Sequence, residues 1–128
     1  MVSLETTFLV DLRSGVPNAV ARARELDRTG EPKCIAPPAA AELLVGAYRI
    51  GGAQIARTHE LLDSLIWLDM DREACEVAGK IGAELLARGE AIGSADLFIA
   101  ATSKRHGQRL LTRDRGFARV PGLVVESY

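Results

Sequence analysis

The sequence lacks the glycine-rich and nucleophile motifs of several large enzyme classes. It has no GxGxxG and no GxxxxGK[ST] segment, so the loops that bind dinucleotides and nucleoside triphosphates are missing. The segment Gly93-Ser94-Ala95 does not match the GxSxG turn that carries the serine of α/β hydrolases. These absences argue against nucleotide-dependent chemistry and against a serine hydrolase.

Aromatic residues and an excess of positive charge are also missing. Aromatics make up only 5% of the chain, which argues against a platform that stacks the bases of single strands. Lys and Arg total 16 against 17 Asp and Glu, for a net charge of −1. A wholly basic protein that coats nucleic acid is therefore excluded, whereas a local basic patch is not.

Long apolar runs and closely spaced metal ligands are absent too. No stretch approaches the roughly 18 consecutive apolar residues of a membrane span, and the start MVSLETTFLVDL has no positive leader. Cys34 and Cys75 lie far apart and form no CxxC pair, which disfavours a structural zinc site. We therefore expect a cytoplasmic protein with two buried, reduced thiols and no membrane contact.

What is present is a regular alternation of short apolar runs with helical segments. Strands are predicted at VSLET and at residues 34–36, 66–68, 109–112 and 123–125. Helices are predicted up to Gly15, over 17–29, from 37 to about 48, over 54–64, from the Asp71 cap to 88, and over 96–104 with Ser94 as the cap. The near-continuous apolar strands favour a parallel sheet covered by helices on both faces. With 48% apolar residues, the chain fits a single domain, 1–128.

Four acids are placed where such a sheet binds its ligands, beyond the carboxyl ends of its strands. Glu5 ends the first strand, Glu42 lies in the first turns of the helix after the second, Asp96 opens a helix, and Asp114 follows the strand at 109–112. Each of the last three also fits a helix start, where the helix dipole stabilises an acid. Four converging carboxylates would repel one another unless a cation neutralised them. An oxygen-only cluster suits Mg²⁺ or Mn²⁺, which activate water for phosphoryl hydrolysis.

A basic segment surrounds the last of these acids. Asp114 is its only acid, and its six basic residues are Lys104, Arg105, Arg109, Arg113, Arg115 and Arg119. Such a segment is either an ordinary solvated surface or a site that holds a phosphate backbone. Because arginine forms bidentate phosphate contacts, Arg109, Arg113 and Arg115 are the candidates for holding such a backbone.

Four segments give the sequence a family resemblance over its whole length. They are LETTFLVDL, AEL, IGSADLFIAA and LLTRDRGF, of which the last two are the most specific. With them the chain resembles the PIN-domain nucleases, and most closely the VapC-type toxins of prokaryotic toxin–antitoxin pairs. The resemblance implies a three-layer α/β/α sandwich with a short-stranded parallel sheet, and a Mg²⁺- or Mn²⁺-dependent endoribonuclease site. It also implies a homodimer that is inhibited by a cognate antitoxin.

The same resemblance assigns the site residues. The family's metal-binding catalytic acids correspond to Glu5, Glu42, Asp96 and Asp114. Supporting hydroxyls correspond to Thr6 or Thr7 near the first acid and to Thr112 before the last. We also predict that the apolar side chains on the helices of residues 38–64 form part of a dimer or antitoxin interface, the alternative being that they all pack on the sheet. They are Leu43, Leu44, Tyr48, Ile50 and Ile55.

One departure from the family pattern keeps a second function open. The family's first acid is normally Asp, and Glu5 extends the carboxylate by one methylene. In a site that requires placement within about half an ångström, this change can slow the reaction by orders of magnitude. The alternatives to an active nuclease are a catalytically weakened PIN-like module that binds RNA or protein, and an unrelated nucleotide-binding or structural α/β domain.

Overall fold

The computed structural model describes all residues, 1–128, and is built around a five-stranded sheet. The strands are β1 (Val2–Leu4), β2 (Lys33–Ile35), β3 (Ile66–Trp67), β4 (Arg109–Leu111) and β5 (Val125–Glu126). Their order is β3-β2-β1-β4-β5, and every pairing is parallel. β1 is therefore the central strand.

Six α-helices and one 3₁₀ helix connect the strands. They are α1 (Thr6–Arg13), α2 (Pro17–Thr29), α3 (Pro37–Ile50), α4 (Ala53–Asp63), α5 (Arg72–Ala87), α6 (Ser94–Arg105) and a 3₁₀ helix at Arg115–Arg119. α2 and α3 begin at prolines, which suit the first helical turn. None of the α-helices has both the length and the apolar character that a membrane crossing requires. The predicted α/β/α sandwich is confirmed.

The core consists of apolar side chains from both layers of helices and from the sheet between them. It is one cluster of 22 buried residues. Its largest fully buried members include Phe8 of α1, Leu43 of α3, Leu85 of α5 and Ile99 of α6. Because helices cover both faces of the sheet, successive residues of the central strand β1 are all buried, including the polar Ser3.

Four details differ from the sequence-based expectations. Ile66 and Trp67, predicted as a buried strand, are 51% and 50% exposed, because β3 is an edge strand of only two residues. Cys75 is exposed, since it points away from the buried face of α5. The cap of α6 is Gly93, and Ser94 is the first helical residue without a capping bond. The last strand begins at Val125 and not at 123, because the preceding residues form a turn closed by the Leu123 amide and the Val120 carbonyl.

Candidate functional site

Glu5 is a buried acid at the carboxyl end of the central strand. It is 2% exposed and caps the N-terminus of α1. Its Oε2 atom accepts three hydrogen bonds: from the Thr7 amide at 2.8 Å, from the Thr7 hydroxyl at 2.6 Å and from the Thr112 hydroxyl at 2.8 Å. These three donors offset the cost of burying the carboxylate.

Thr112 connects Glu5 to Asp114. The Thr112 hydroxyl accepts a hydrogen bond from the Asp114 amide at 3.0 Å while it donates to Glu5. The Asp114 Oδ1 atom in turn accepts from the Gly116 amide at 2.9 Å and caps the 3₁₀ helix. A continuous chain of hydrogen bonds thus runs from the end of β1 to the segment after β4.

Glu42 is positioned by the residue next to Thr7. The Thr6 hydroxyl, on the first turn of α1, donates to the Glu42 Oε1 atom at 2.8 Å. Glu42 is exposed and lies on α3, which follows β2. The two threonines that begin α1 therefore serve different acids, Thr6 binding Glu42 and Thr7 binding Glu5.

Asp96 shares its electrostatic environment with the other three acids. It lies in the first turn of α6 and is half-buried. Burial, followed in this order by the negative charges of Glu5, Asp114 and Glu42, raises the pKa of Asp96 from 3.8 to about 6. The helix dipole at this position favours a charged acid, so the repulsion and the burial outweigh it. The four acids predicted from the sequence are thus brought to one edge of the sheet.

The donor chemistry of this edge fits a hard divalent cation. All four candidate ligands are carboxylates, and the pKa of Asp96 is raised by burial and then by neighbouring negative charges, which a cation would neutralise. The structure contains no group of three or more His, Cys, Asp or Glu side chains spaced closely enough to hold a metal ion, so the acids are a loose set rather than a preformed cage.

The three predicted RNA-binding arginines are placed differently. Arg113 and Arg115 flank Asp114 in the chain, and Arg115 is exposed at the start of the 3₁₀ helix. Arg109 is the first residue of β4 and forms ion pairs of 2.6 Å with both Glu31 and Glu126. Arg113 and Arg115 thus line a surface cavity with Asp114, the Arg113 guanidinium being paired with Asp11, whereas Arg109 is held by other acids.

Two residues near the site, Asp11 and Tyr128, were not predicted from the sequence. Asp11 of α1 is 8% exposed and accepts hydrogen bonds from Arg113 and from the Tyr128 hydroxyl, each at 2.6 Å. Asp11 follows Thr7 by four residues, so both lie on one face of α1. That spacing is the only sequence signal for Asp11, and nothing in the sequence connects Tyr128 to it.

The helices of residues 38–64 divide their apolar side chains between the core and the surface. Leu43 is buried, and Leu44 and Ile55 are half-buried. Tyr48 and Ile50, at the end of α3, are more than 60% exposed. Part of the predicted interface therefore packs inside the protein, and the end of α3 presents the rest to solvent.

Comparison with known proteins agrees with this architecture. The family model of the PIN domain matches residues 2–123. The tRNA(fMet)-specific endonuclease VapC of Salmonella typhimurium (strain LT2) is 31% identical over 98 residues, which are 74% of this chain and 74% of that protein.

Solved structures with the same fold include VapBC complexes and another toxin–antitoxin complex. VapBC2 from Rickettsia felis, bound to a fragment of promoter DNA, matches with a TM-score of 0.85 and 24% identity, covering 100% of this chain and 99% of the other. DNA-bound VapBC from Salmonella typhimurium matches with a TM-score of 0.84 and 25% identity, covering 99% and 98%. A toxin–antitoxin complex from Klebsiella pneumoniae matches with a TM-score of 0.77 and 26% identity, covering 97% and 96%. The chain therefore belongs to the PIN-domain family, as a homologue of the VapC proteins of toxin–antitoxin pairs.

Proposed function

We propose that this protein is a Mg²⁺- or Mn²⁺-dependent endoribonuclease and the toxin of a VapBC-type pair. The observation that carries the proposal is the placement of four carboxylates beyond the carboxyl ends of the strands, linked by the hydrogen bonds of Thr6 to Glu42 and of Thr112 to Glu5 and Asp114. The pKa of Asp96, raised by burial and then by the charges of Glu5, Asp114 and Glu42, agrees with this placement. Like charges arranged in this way are typical of a site that binds a cation. The homologous VapC from Salmonella is an endonuclease specific for tRNA(fMet), which supports RNA as the substrate class.

The proposed cation and the protein residues have separate roles in the reaction. When bound, Mg²⁺ or Mn²⁺ lowers the pKa of a water molecule and stabilises the leaving oxygen. Glu5, Glu42, Asp96 and Asp114 are the residues that would hold the ion. In the reaction the water oxygen bonds to phosphorus, one P–O ester bond breaks, and a proton from the water ends on the departing ribose oxygen. The chain itself supplies no nucleophile.

Hydroxyl groups determine which carboxylate oxygens are available. Thr7 and Thr112 occupy the Oε2 atom of Glu5, so the Oε1 atom is the one left to face the cation. Thr6 similarly binds the Oε1 atom of Glu42. The pKa of Asp96, raised to about 6 by burial and by the neighbouring acids, would fall on cation binding, because the cation favours the charged carboxylate.

RNA contact is assigned first to Arg115, which is exposed beside Asp114 and lines a surface cavity with it. Its guanidinium would bind a phosphate next to the scissile bond. Arg113 lines the same cavity but is paired with Asp11, and Arg109 is paired with Glu31 and Glu126, so both are weaker candidates for this role.

The partners follow from the same relatives and from the exposed end of α3. The solved relatives include complexes with an antitoxin, and we propose that this chain also binds one. Val45, Tyr48 and Ile50 are each more than 60% exposed and form an apolar surface at the end of α3. We assign this surface to a homodimer or antitoxin contact in the cytoplasm. Light scattering tests the dimer. A mass equal to one copy of this chain, or to one copy of this chain plus one antitoxin, would contradict it.

A weakened RNA- or protein-binding module remains the second candidate, and Glu5 favours it. The longer side chain is folded back onto the N-terminus of α1 by three hydrogen bonds to one oxygen. If this geometry withholds the carboxylate from the cation, the protein binds RNA or the antitoxin without turnover.

The deciding experiment is a cleavage assay on total transfer and ribosomal RNA with Mg²⁺ or Mn²⁺. We expect Asp96→Asn to lower cleavage by at least about a hundredfold, as loss of a charge-stabilising group does in other enzymes. Asp27→Asn, an exposed acid at the end of α2, is the matched control and should cleave like the parent. Equal cleavage by the parent and Asp96→Asn would overturn the proposal. Cleavage by Glu5→Asp alone would favour the weakened module.

A further inference from the structure

Tyr128 is bound to α1 by both its ring and its hydroxyl. Its ring meets Phe8 edge-on, with 4.9 Å between the ring centroids and an interplanar angle of 80°. Its hydroxyl donates to the Asp11 Oδ2 atom at 2.6 Å. Phe8 is fully buried and Asp11 nearly so, so Tyr128 contacts the inner part of α1.

Asp11 also binds the segment that carries two of the site residues. Arg113 donates from Nε to the Asp11 Oδ2 atom at 2.6 Å and from Nη2 to Oδ1 at 3.4 Å. Arg113 stands between Thr112, which binds Glu5, and Asp114. One carboxylate therefore holds the segment after β4 and Tyr128 against the same helix.

The pKa shifts agree with a tight arrangement. The hydrogen bonds from Arg113, and then from Tyr128, hold the pKa of Asp11 below its ordinary value. Burial, and then the bond to Asp11, raise the pKa of Tyr128 to about 12, while the Thr7 hydroxyl opposes this rise. Tyr128 is therefore also close to Thr7, which binds Glu5.

We propose that Tyr128 and Asp11 are positioning residues of the nuclease site. Through Arg113 they hold residues 112–114 against α1, which fixes the Thr112 hydroxyl on Glu5 and the backbone at Asp114. This inference rests on the proposed endoribonuclease function. Neither Tyr128 nor Asp11 binds the cation or the RNA in this role.

The test begins with Tyr128→Phe, which removes the hydroxyl and keeps the ring on Phe8. Thr29→Val is the control, because it removes a hydroxyl that bonds only to the Leu26 carbonyl at the end of α2. Misplacement of a catalytic group by a fraction of an ångström is costly, so we expect kcat to fall about tenfold in Tyr128→Phe. KM and the melting temperature should stay close to those of the control. An unchanged kcat would overturn the proposal.

Hydrogen exchange provides a readout that does not depend on activity. Loss of one hydrogen bond that holds the segment should speed exchange of the amides of residues 113–116 by about tenfold, whereas the amides of the distant helix α5 keep their rates. If the parent cleaves no RNA, the endoribonuclease proposal fails, and the exchange rates still decide whether Tyr128 holds this segment. Equal exchange rates of these amides in Tyr128→Phe and Thr29→Val would overturn the proposal that Tyr128 positions this segment.

A double-mutant cycle separates positioning from direct RNA binding by Arg113. If Arg113 acts through Asp11, then Arg113→Gln and Asp11→Asn each lower kcat, and the double variant is no worse than either single variant. If Arg113 only contacts phosphate, Arg113→Gln raises KM, and the loss of activity in the double variant is the product of the two single losses. That result would contradict the proposal. Arg113 is 58% exposed, so its replacement leaves the core intact.

Discussion

The Thr112 hydroxyl donates to the Oε2 atom of Glu5 at 2.8 Å, although 107 residues separate the two in the chain. The bond joins the carboxyl ends of two neighbouring parallel strands, β1 and β4. Glutamate stands here where the family pattern has aspartate, and one of its carboxylate oxygens both caps α1 and accepts from Thr112.

The first prediction concerns this bond. Thr112→Val removes a donor to the buried Glu5 and an acceptor for the Asp114 amide, so we expect the free energy of unfolding to fall by about 2 kcal/mol. Thr102→Val is the control, because the Thr102 hydroxyl is buried without a partner. That variant should be neutral or stabilising. Urea unfolding of both variants measures the difference, and equal destabilisation would refute the role of the bond.

The second prediction concerns the pH dependence of stability without divalent cations. Folding raises the pKa of Asp96 from its ordinary value of 3.8 to about 6, so the folded state favours the protonated acid. Its contribution to stability is therefore fully present below pH 3.8 and is lost as the pH rises to about 6 and above.

Asp96→Asn isolates this effect. The variant cannot ionise at residue 96, so it should be more stable than the parent at pH 7, by on the order of 2 kcal/mol, and the difference should shrink toward pH 4. Unfolding of both proteins in EDTA across this range gives the comparison. The acids with lowered pKa, such as Asp11 and Asp71, contribute equally to both proteins and cancel. A difference that does not change with pH would contradict the shift.

The third prediction concerns the cation. Mg²⁺ or Mn²⁺ should raise the melting temperature of the parent, since a ligand that binds only the folded state stabilises it by about 2.7 kcal/mol at 100 times its Kd. Asp96→Asn should lose most of this gain, and EDTA should abolish it. Asp27→Asn is the control. Because it keeps all four site acids, the cation should raise its melting temperature as much as that of the parent. Identical melting curves for the parent with and without the cation would argue against the metal site.

The fourth prediction concerns the packing that positions Asp96. A Cβ atom added at Gly82 of α5 would lie 2.9 Å from the Leu97 Cδ2 atom, and Leu97 directly follows Asp96 on α6. A Cβ atom at Gly79 would meet nothing within 4 Å. Gly79→Ala should therefore stabilise the protein by up to about 1 kcal/mol through helix propensity.

Gly82→Ala gains the same propensity but must displace the Leu97 side chain. We expect it to be less stable than Gly79→Ala by about 1 kcal/mol or more, which is typical of overpacking. RNA cleavage should fall in Gly82→Ala and not in Gly79→Ala, because the shift reaches Asp96. Matching stability and cleavage in the two variants would show that the contact is unimportant.

The sequence correctly predicted those features of the fold that local patterns determine. Apolar runs and breakers predicted the order of strands and helices, and the position after each strand predicted that Glu5, Glu42, Asp96 and Asp114 lie at one edge of the sheet, where they form a loose set. The exposure of β3 was missed because nothing in a short apolar run distinguishes an edge strand from a central one.

The residues that hold the acids were harder to predict. Which of the two adjacent threonines binds Glu5 depends on the direction in which α1 leaves β1, a property of the folded backbone. The Asp11–Tyr128 bond spans 117 residues and needs β5 to be in register with β4. Such contacts exist only after the sheet has formed.

The place of β1 in the sheet has a consequence for the order of synthesis. β1 is made first, but its partner on one side, β4, begins only at Arg109. A nascent chain that has not yet emerged from the ribosome beyond Asp114 lacks both the hydroxyl that holds Glu5 and the fourth acid. The four acids are therefore brought together only after Asp114 has been translated, so a chain interrupted before that residue would lack the proposed cation site.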